Sequence, residues 1–331
     1  MQSPAFSPSS SPSVLRSESS VKNLPVNLFA SVMGLSGLSL AWRLAHDSLG
    51  ATAFVGEAIG VFALGVFALI SLGYLVKLVK HPQAVCAEFL HPVAGSFFGT
   101  IAISILLLSA VVEPYAAAAA PAIWTIGVVA TLALSFIAVS RLLKGQVDAS
   151  HAVPAWIIPG VATLDIPVTG QHMRMAWASE INLLACAVGA VMALVILVMV
   201  ISRLVHRDPL APAMTPSLMI LVAPFAVGFI AYTNVIGGVD RFAALLLYFG
   251  LFMFAVVVPK VFRPSVSFSP SWWAIGFPMA ALANAALRYS AYRDSGPLWW
   301  LAIGLLVALS LAIAVLTVRT VHIALNGKLF T

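Results

Sequence analysis

The stretch Ser271-Trp272-Trp273-Ala274-Ile275-Gly276-Phe277-Pro278-Met279-Ala280-Ala281-Leu282-Ala283-Asn284 places a bulky ring beside a helix-breaking residue inside an apolar segment. Pro278 has no backbone donor and disturbs the turn before it, so we expect the segment to bend there, with Phe277 at the bend. Small residues flank the bend: Gly276, Ala280, Ala281 and Ala283. They allow neighbouring helices to approach closely and leave room for the ring to project into an adjacent space.

The composition places this segment in a membrane. Of the 331 residues, 61% are hydrophobic and 8% are charged, which excludes an ordinary soluble protein and indicates a polytopic membrane protein. The net charge of +6 comes without a basic cluster interleaved with aromatic residues, so we expect no nucleic-acid partner. The two cysteines, Cys86 and Cys186, lie in different apolar regions and indicate neither a disulfide framework nor a zinc site.

Sequence motifs of enzymes are missing from the chain. It has no Walker loop, no G-x-G-x-x-G after a strand and no H-E-x-x-H. An integral membrane enzyme would also need a cluster of acids or histidines at one membrane face, and no such cluster is found. We therefore expect neither an enzyme nor a bound cofactor or metal.

The chain begins with a polar segment. Residues 1–22 contain nine serines and three prolines, and they lack the apolar run of about 7–15 residues that a secretory signal needs. We expect a disordered cytoplasmic tail at 1–22, followed by one transmembrane domain at 23–331.

Ten apolar stretches in that domain are long enough to cross a bilayer, which takes roughly 20 residues. They lie near 25–45, 53–76, 92–112, 116–140, 154–172, 179–202, 214–236, 241–259, 271–291 and 297–320. The fifth is interrupted by Thr163, Asp165, Pro167 and Thr169. The sequence predicts an all-α protein with ten transmembrane helices.

Basic residues concentrate on one side of this arrangement. With ten spans both termini share a side, and that side receives twelve of the 17 Lys and Arg residues: Arg16, Lys22, Lys77, Lys80, Arg141, Lys144, Arg203, Arg207, Lys260, Arg263, Arg319 and Lys328. The other side keeps Arg43, Arg174, Arg241, Arg288 and Arg293. The positive-inside rule therefore predicts cytoplasmic N- and C-termini.

A proline recurs in alternate spans. Pro25, Pro92, Pro159, Pro224 and Pro278 lie in the first, third, fifth, seventh and ninth spans, at intervals of 67, 67, 65 and 54 residues. The repeat suggests five helical hairpins, each with one bent and one straight helix. The alternative is that prolines are simply tolerated in membrane helices.

Bent helices cannot pack tightly along their whole length, so five of them fit best around an axis, with the straight helices outside and a pore at the centre. Beyond each proline the half-helix should begin with unpaired N–H groups and a positive dipole end, which favours anions. The same break frees a carbonyl, which favours cations, so this argument leaves the ion open.

Charged and aromatic residues within and at the ends of the predicted spans are interpreted by their position in the membrane. Asp165 is the acid placed within the membrane, and it is either a coupling acid or a cap near Thr163 or Thr169. Glu57, Lys77, Glu88 and Arg288 are expected to reach the headgroups. Most tryptophans fit an interfacial aromatic belt, and the Trp272–Trp273 pair is interpreted as an anchor.

The chain resembles the tellurite-resistance/dicarboxylate transporter family, which includes the bacterial TehA proteins and the slow anion channels of plant guard cells. The similarity is carried by Asn23-Leu24-Pro25 through Gly34 with Ala41-Trp42-Arg43, and by Trp272-Trp273-Ala274-Ile275-Gly276-Phe277-Pro278. A looser match runs from about Lys22 to Lys328. The resemblance implies five hairpins in a quasi-fivefold arrangement around a central pore, a homotrimer of separate pores, and an occluding phenylalanine at Phe277.

The sequence therefore predicts an anion channel or channel-like permease in a bacterial inner membrane, with small inorganic anions or dicarboxylates as its partners in transport. Pro25, Pro92, Pro159, Pro224 and Pro278 would kink the pore-lining helices, and Phe277 would be the gate beside Gly276, Ala280 and Ala281. The alternative is a carrier for C4-dicarboxylates or for tellurite- or sulfite-type oxyanions, coupled to protons through Asp165.

Overall fold

The computed structural model describes residues 21–145 and 148–327. Most of the predicted N-terminal tail, residues 1–20, lies outside the described residues, as does Lys328. The last two residues of the predicted tail belong to a short 3-10 helix, Val21–Asn23. The described residues form α-helices and 3-10 helices, and none of them lies in a strand.

Eleven α-helices follow one another along the described chain. They are α1 (Phe29–Leu49), α2 (Ala53–Lys80), α3 (Pro82–Leu90), α4 (Phe98–Val112), α5 (Ala120–Leu143), α6 (Ile158–Gly170), α7 (Ala178–His206), α8 (Ala223–Ile236), α9 (Arg241–Val261), α10 (Gly276–Arg293) and α11 (Gly296–Leu325). Except for the short α3, they pack in consecutive pairs: α1 with α2, α4 with α5, α6 with α7, α8 with α9, and α10 with α11.

Length and hydropathy identify eight helical segments that could cross a membrane. These eight include every α-helix except α3, α6 and α10. The helix α6 is too short, since it has only 13 residues. The helix α10 is less apolar, because it contains many small residues and carries Arg288 and Arg293 in its second half. These criteria therefore support eight of the ten predicted spans.

Five of the helices form a closed ring of contacts. The helix α1 packs against α4, α4 against α6, α6 against α8, and α8 against α10, which packs back against α1. We call these five, each with the 3-10 segment before it, the inner helices. Burial follows this arrangement: in the most apolar window, 78% of the residues are buried in the α1 segment, against 17% in its partner α2. The exposed apolar residues of α2 suit contact with lipid.

A 3-10 segment leads into every inner helix. These segments are Val26–Leu28, Ala94–Phe97, Pro154–Ile157, Pro212–Val222 and Pro270–Ile275. The first α-helical N–H bonds to a carbonyl of the segment, as Gly276 does to Trp273 and Ala223 does to Ile220. At these junctions the N–H groups that we predicted to be unpaired are therefore hydrogen-bonded. Of the two features that we expected to favour anions, the helix dipole is the one that is left.

Three of the five repeated prolines lie at these junctions and the other two lie just before a 3-10 segment, so none of them is in a helix interior. Pro159 and Pro224 are the second residues of α6 and α8, and Pro278 is the third residue of α10. Pro25 and Pro92 precede the first two 3-10 segments. A proline in the first turn removes a donor that has no partner within its own α-helix, so it is tolerated there without an interior break.

Candidate functional site

A small cavity lies between the five inner helices. Its volume is about 30 Å³ and its walls are apolar. Every inner helix contributes to its lining. The residues are Ala30 and Met33 of the first inner helix, Phe97, Thr100 and Ile103 of the second, Ile158 and Val161 of the third, Ile220 and Ala223 of the fourth, and Trp273, Ala274, Phe277 and Pro278 of the fifth. Most of these residues lie in a 3-10 segment or in the first turn of an α-helix, so the cavity sits where the five inner α-helices begin.

Phe277 forms part of this wall. It is the second residue of α10 and is 7% exposed. Trp273, in the 3-10 segment before it, lines the same cavity and is 2% exposed. The indole N–H of Trp273 donates to Oγ1 of Thr320 on α11 at 2.9 Å. The predicted interfacial anchor is therefore wrong for Trp273, since a fully buried indole with a paired N–H is a structural wall residue. Trp272 stays partly exposed and donates to the carbonyl of Ser267.

The small residues near Phe277 bring α10 against α1. A Cβ added at Gly276 would lie 3.3 Å from the Cα of Gly34, and a Cβ added at Gly37 would lie 2.6 Å from the Cβ of Ala280. The side-chain amide of Asn284 also donates to the carbonyl of Gly37 at 3.0 Å. Gly276 and Ala280 thus lie at the crossing of the two helices, where a larger side chain would separate them.

A second, larger cavity adjoins the first. It has a volume of about 270 Å³ and is lined by all five 3-10 segments together with the end of α3. Phe97 and Ala274 line both cavities, so the two are neighbours. We call the larger one the vestibule. Its wall includes Asn27, whose side-chain oxygen has no hydrogen-bond partner within residues 21–145 and 148–327.

Glu88 of α3 is a further residue of the vestibule wall. It accepts hydrogen bonds from Lys77 Nζ at 2.6 Å, from the hydroxyl of Tyr74 at 2.9 Å and from the backbone N–H of Val26 at 2.8 Å. Lys77 also donates to the carbonyl of Leu24 at 2.7 Å, and its side chain is 4% exposed. The prediction that Lys77 and Glu88 reach the headgroups is therefore wrong. The lysine neutralises the one carboxylate on this wall.

One face of each inner helix continues from the small cavity towards the helix C-terminus, because residues three or four apart lie on the same side of an α-helix. We call these the cavity faces. On two of the helices they consist of Phe277, Ala281, Asn284 and Arg288 in α10, and of Ala223, Val227, Ile230 and Asn234 in α8.

The far ends of these two faces are joined. A guanidinium nitrogen of Arg288 donates to the side-chain oxygen of Asn234. The amide nitrogen of Asn234 donates to the carbonyls of Pro167 at 3.0 Å and Val168 at 3.1 Å, both in α6. Three inner helices therefore meet at Asn234, and Arg288 is held by protein rather than directed to the headgroups as we predicted.

Asp165 lies on the cavity face of α6, four residues after Val161 and seven after Ile158. It is 1% exposed, and neither carboxylate oxygen has a hydrogen-bond partner in the described part of the chain. The alternative role of Asp165 as a helix cap is not observed among the described residues, since no backbone N–H donates to its carboxylate. Within residues 21–145 and 148–327, no three His, Cys, Asp or Glu side chains come together as a metal site requires.

Sequence reasoning missed the contact of Arg288 with Asn234 and the position of Trp273 in the cavity wall. The helical spacing from Phe277 to Arg288 was available as a signal, because eleven residues are close to three full turns. Nothing in the local sequence distinguishes Trp273 from its neighbour Trp272.

Comparison with known proteins identifies the family of the chain. The profile of the SLAC1 family, described as voltage-dependent anion channel, matches residues 23–321. The chain is 26% identical to the tellurite resistance protein TehA homolog of Haemophilus influenzae, over 93% of each chain. It is 26% identical to an uncharacterised transporter of Methanocaldococcus jannaschii, over 94% of this chain and 96% of that protein. It is 24% identical to the guard cell S-type anion channel SLAC1 of Arabidopsis thaliana, over 89% of this chain and 55% of that channel. Since the family profile covers all five pairs of helices, the chain belongs to the SLAC1 family of anion channels, with TehA among its relatives.

Proposed function

We propose that this protein is an anion channel or channel-like permease whose ten membrane helices form five hairpins in a quasi-fivefold arrangement around one pore. Small anions pass along the axis of the five inner helices, and the ring of Phe277 closes the path. The observation that carries this proposal is that Phe277 lines a cavity of about 30 Å³ to which every inner helix contributes.

The closure follows from size and from water. A cavity this small with apolar walls offers a hydrated anion neither space nor hydrogen-bond partners, so the ion would have to shed its water without compensation. The neighbouring vestibule is about nine times larger and carries polar groups such as Asn27, so hydrated anions can reach the closed point from that side.

The selectivity for anions is supported by the backbone. Five α-helices begin around the cavity, and the N-terminus of an α-helix carries a positive partial charge. The N–H groups at the junctions are already bonded, so they act on the ion through their summed field rather than as free donors. Because Lys77 neutralises Glu88, the vestibule wall does not oppose this field.

We further propose that the protein lies in the inner membrane of a bacterium with both termini in the cytoplasm, and that it forms a homotrimer of separate pores. The distribution of basic residues supports this orientation, since five arginines alone fall on the opposite side. The vestibule then opens to the cytoplasm, and Arg288 lies at the other end of the path.

Anion flux into liposomes tests the proposal. We expect Phe277→Ala to raise chloride and nitrate flux well above that of the wild type at equal protein density, because removing the ring widens and wets the closed point. Phe252→Ala on α9 is the matched control, since that phenylalanine is 59% exposed on the outer surface and its loss should leave flux unchanged. Equal flux for Phe277→Ala and wild type would refute the gate.

A proton-coupled carrier for C4-dicarboxylates or for tellurite- or sulfite-type oxyanions is the second candidate. Asp165 favours it, because an acid without a hydrogen-bond partner on a cavity face is suited to binding and releasing a proton. On the cavity faces of α8 and α10, the charged side chain is Arg288.

The two candidates differ in their response to Asp165→Asn. A carrier should lose the pH dependence of malate uptake in this variant, whereas the current of a channel should follow the electrochemical gradient in variant and wild type alike. Comparing chloride, nitrate and malate in the same liposomes identifies the transported anion.

A further inference from the structure

Arg288 carries a partly buried positive charge that no carboxylate of the described residues neutralises. Two ion pairs of Lys or Arg with a carboxylate occur among the described residues, and neither includes this arginine: Arg43 with Glu57, and Lys77 with Glu88. A guanidinium withdrawn from water is costly unless an opposite charge accompanies it. The structure provides a neutral partner at this place, the side-chain oxygen of Asn234.

Arg43 shows how a fully engaged arginine differs. Its Nε and Nη2 donate to the two oxygens of Glu57 at 2.9 and 2.8 Å, and its terminal nitrogens donate to the carbonyls of Ala110 and Val111 at 3.0 and 2.9 Å. Arg288 makes one hydrogen bond to the described residues, through Nη1. Since a guanidinium has five N–H donors, most of those of Arg288 are left for a ligand.

The position of Arg288 is fixed by its neighbour. The amide nitrogen of Asn234 is bonded to two carbonyls of α6, which directs its oxygen towards the guanidinium. One turn closer to the small cavity, the amide of Asn284 donates to the carbonyls of Gly37 and Ala280 at 3.0 and 2.9 Å. Arg288 is therefore held in place on the cavity face of α10 without being neutralised.

We propose that Arg288, positioned by Asn234, binds a small anion at the end of the path away from the vestibule. The fork of N–H donors favours planar oxyanions such as nitrate or a carboxylate, which accept two parallel hydrogen bonds, over spherical chloride. That Arg288 binds an anion is inferred from its contacts alone. That this anion is the one transported rests on the proposed function.

Binding is tested on the purified full-length protein by thermal unfolding in sodium nitrate, with sodium chloride keeping the ionic strength constant, because spherical chloride cannot accept two parallel hydrogen bonds from the fork. We expect the wild-type unfolding temperature to rise with nitrate concentration. Arg288→Gln should raise the half-saturating concentration about tenfold, because a hydrogen bond to a charged group contributes about 1.5 kcal/mol or more. Arg288→Lys keeps the charge but loses the fork, so it should show a smaller increase.

Arg293→Gln is the matched control, because that arginine is exposed near the end of the same helix. It should bind nitrate like the wild type. If Arg288→Gln and Arg288→Lys both bind nitrate with the same half-saturating concentration as Arg293→Gln, the proposal is overturned. If Arg288→Gln does not fold, the comparison of Arg288→Lys with Arg293→Gln decides alone.

The role in transport is measured in the Phe277→Ala background. There we expect Arg288→Gln to raise, about tenfold, the nitrate concentration that gives half-maximal flux from the side of Arg288. If Phe277→Ala carries no flux, the proposed gate fails, while the unfolding experiment still decides whether Arg288 binds anions. If flux and unfolding are both insensitive to Arg288→Gln, the binding site is refuted while the pore stands.

Discussion

Lys77 and Glu88 form an ion pair with an N–O distance of 2.6 Å beside the vestibule. The pair connects α2 to the short helix α3, and Glu88 in turn accepts the N–H of Val26 at the start of the first inner helix. One carboxylate thus holds the consecutive helices α2 and α3 to the start of the first inner helix, which lies 62 residues before Glu88 in the sequence.

Breaking this pair should destabilise the protein strongly. In Glu88→Gln the buried ammonium of Lys77 loses its counter-charge, and we expect the free energy of unfolding to fall by about 3 kcal/mol. The unfolding temperature in detergent measures this. The double variant Lys77→Met with Glu88→Gln removes the buried charge as well and should recover part of the loss. Unfolding of Glu88→Gln at the wild-type temperature would contradict this view of the pair.

The crossing of α1 and α10 should not tolerate a methyl group at Gly37. The added Cβ would lie 2.6 Å from the Cβ of Ala280, so the two helices must separate. We expect Gly37→Ala to lower the free energy of unfolding by about 1–3 kcal/mol. Gly65→Ala on α2 is the control, since its added Cβ meets nothing within 4 Å and alanine favours the helix by about 0.5–1 kcal/mol. Equal unfolding temperatures for the two variants would refute the close crossing.

Side-chain size at Phe277 should control flux in a graded way. We expect flux to increase in the order Phe, Leu, Ala, because each smaller side chain leaves a wider constriction, whereas Phe277→Trp should remain closed. A barrier lowered by about 1.4 kcal/mol raises the rate tenfold, so flux in liposomes resolves small differences. A higher flux for Phe277→Leu than for Phe277→Ala would show that the ring does not act by occupying space.

Asp240 should make stability depend on pH. It caps α9 by accepting the N–H of Ala243 at 2.9 Å and also accepts the hydroxyl of Tyr232 at 2.8 Å. The bond from Ala243 is the main cause that lowers the pKa of this carboxyl below its ordinary value. Since the folded pKa is the lower one, the carboxylate stabilises the fold above the unfolded pKa of about 3.9, and this contribution is lost as the pH falls through the folded pKa.

The unfolding temperatures of wild type and Asp240→Asn, followed with pH, measure this contribution. The asparagine can still cap the helix but does not titrate. We expect the difference between the two proteins to be constant from neutral pH to about pH 5 and to shrink below about pH 4. A difference that stays unchanged at acid pH would show that the charge of Asp240 does not contribute.

Features that depend on neighbouring residues in the chain were predicted well. Hydropathy placed the eighth predicted span closely: it was expected at 241–259, and the structure has the helix Arg241–Val261. The interrupted fifth segment is also helical, as Pro154–Ile157 and Ile158–Gly170, although it contains Asp165 and Pro167. Its polar groups are covered by neighbouring helices, which local sequence cannot show.

Features that depend on packing were predicted poorly. Lys77 lies near a helix end and would reach the headgroups if α3 did not cover it. Trp273 would be an interfacial residue if α11 did not supply Thr320 as a partner. In both cases the packing of another helix, and not the residues next to the side chain in sequence, decides whether that side chain meets lipid, water or protein.

The sequence by itself determined that the chain is helical and apolar, and that a proline marks alternate helices, because hydropathy and backbone chemistry act over a few residues. Only the tertiary structure decided that the first turns of five helices enclose one small cavity with Phe277 in its wall, and that Arg288 meets Asn234 at the far end. These relationships join residues up to hundreds of positions apart in sequence. They arise when the helices close into a ring and bury particular side chains away from lipid and water.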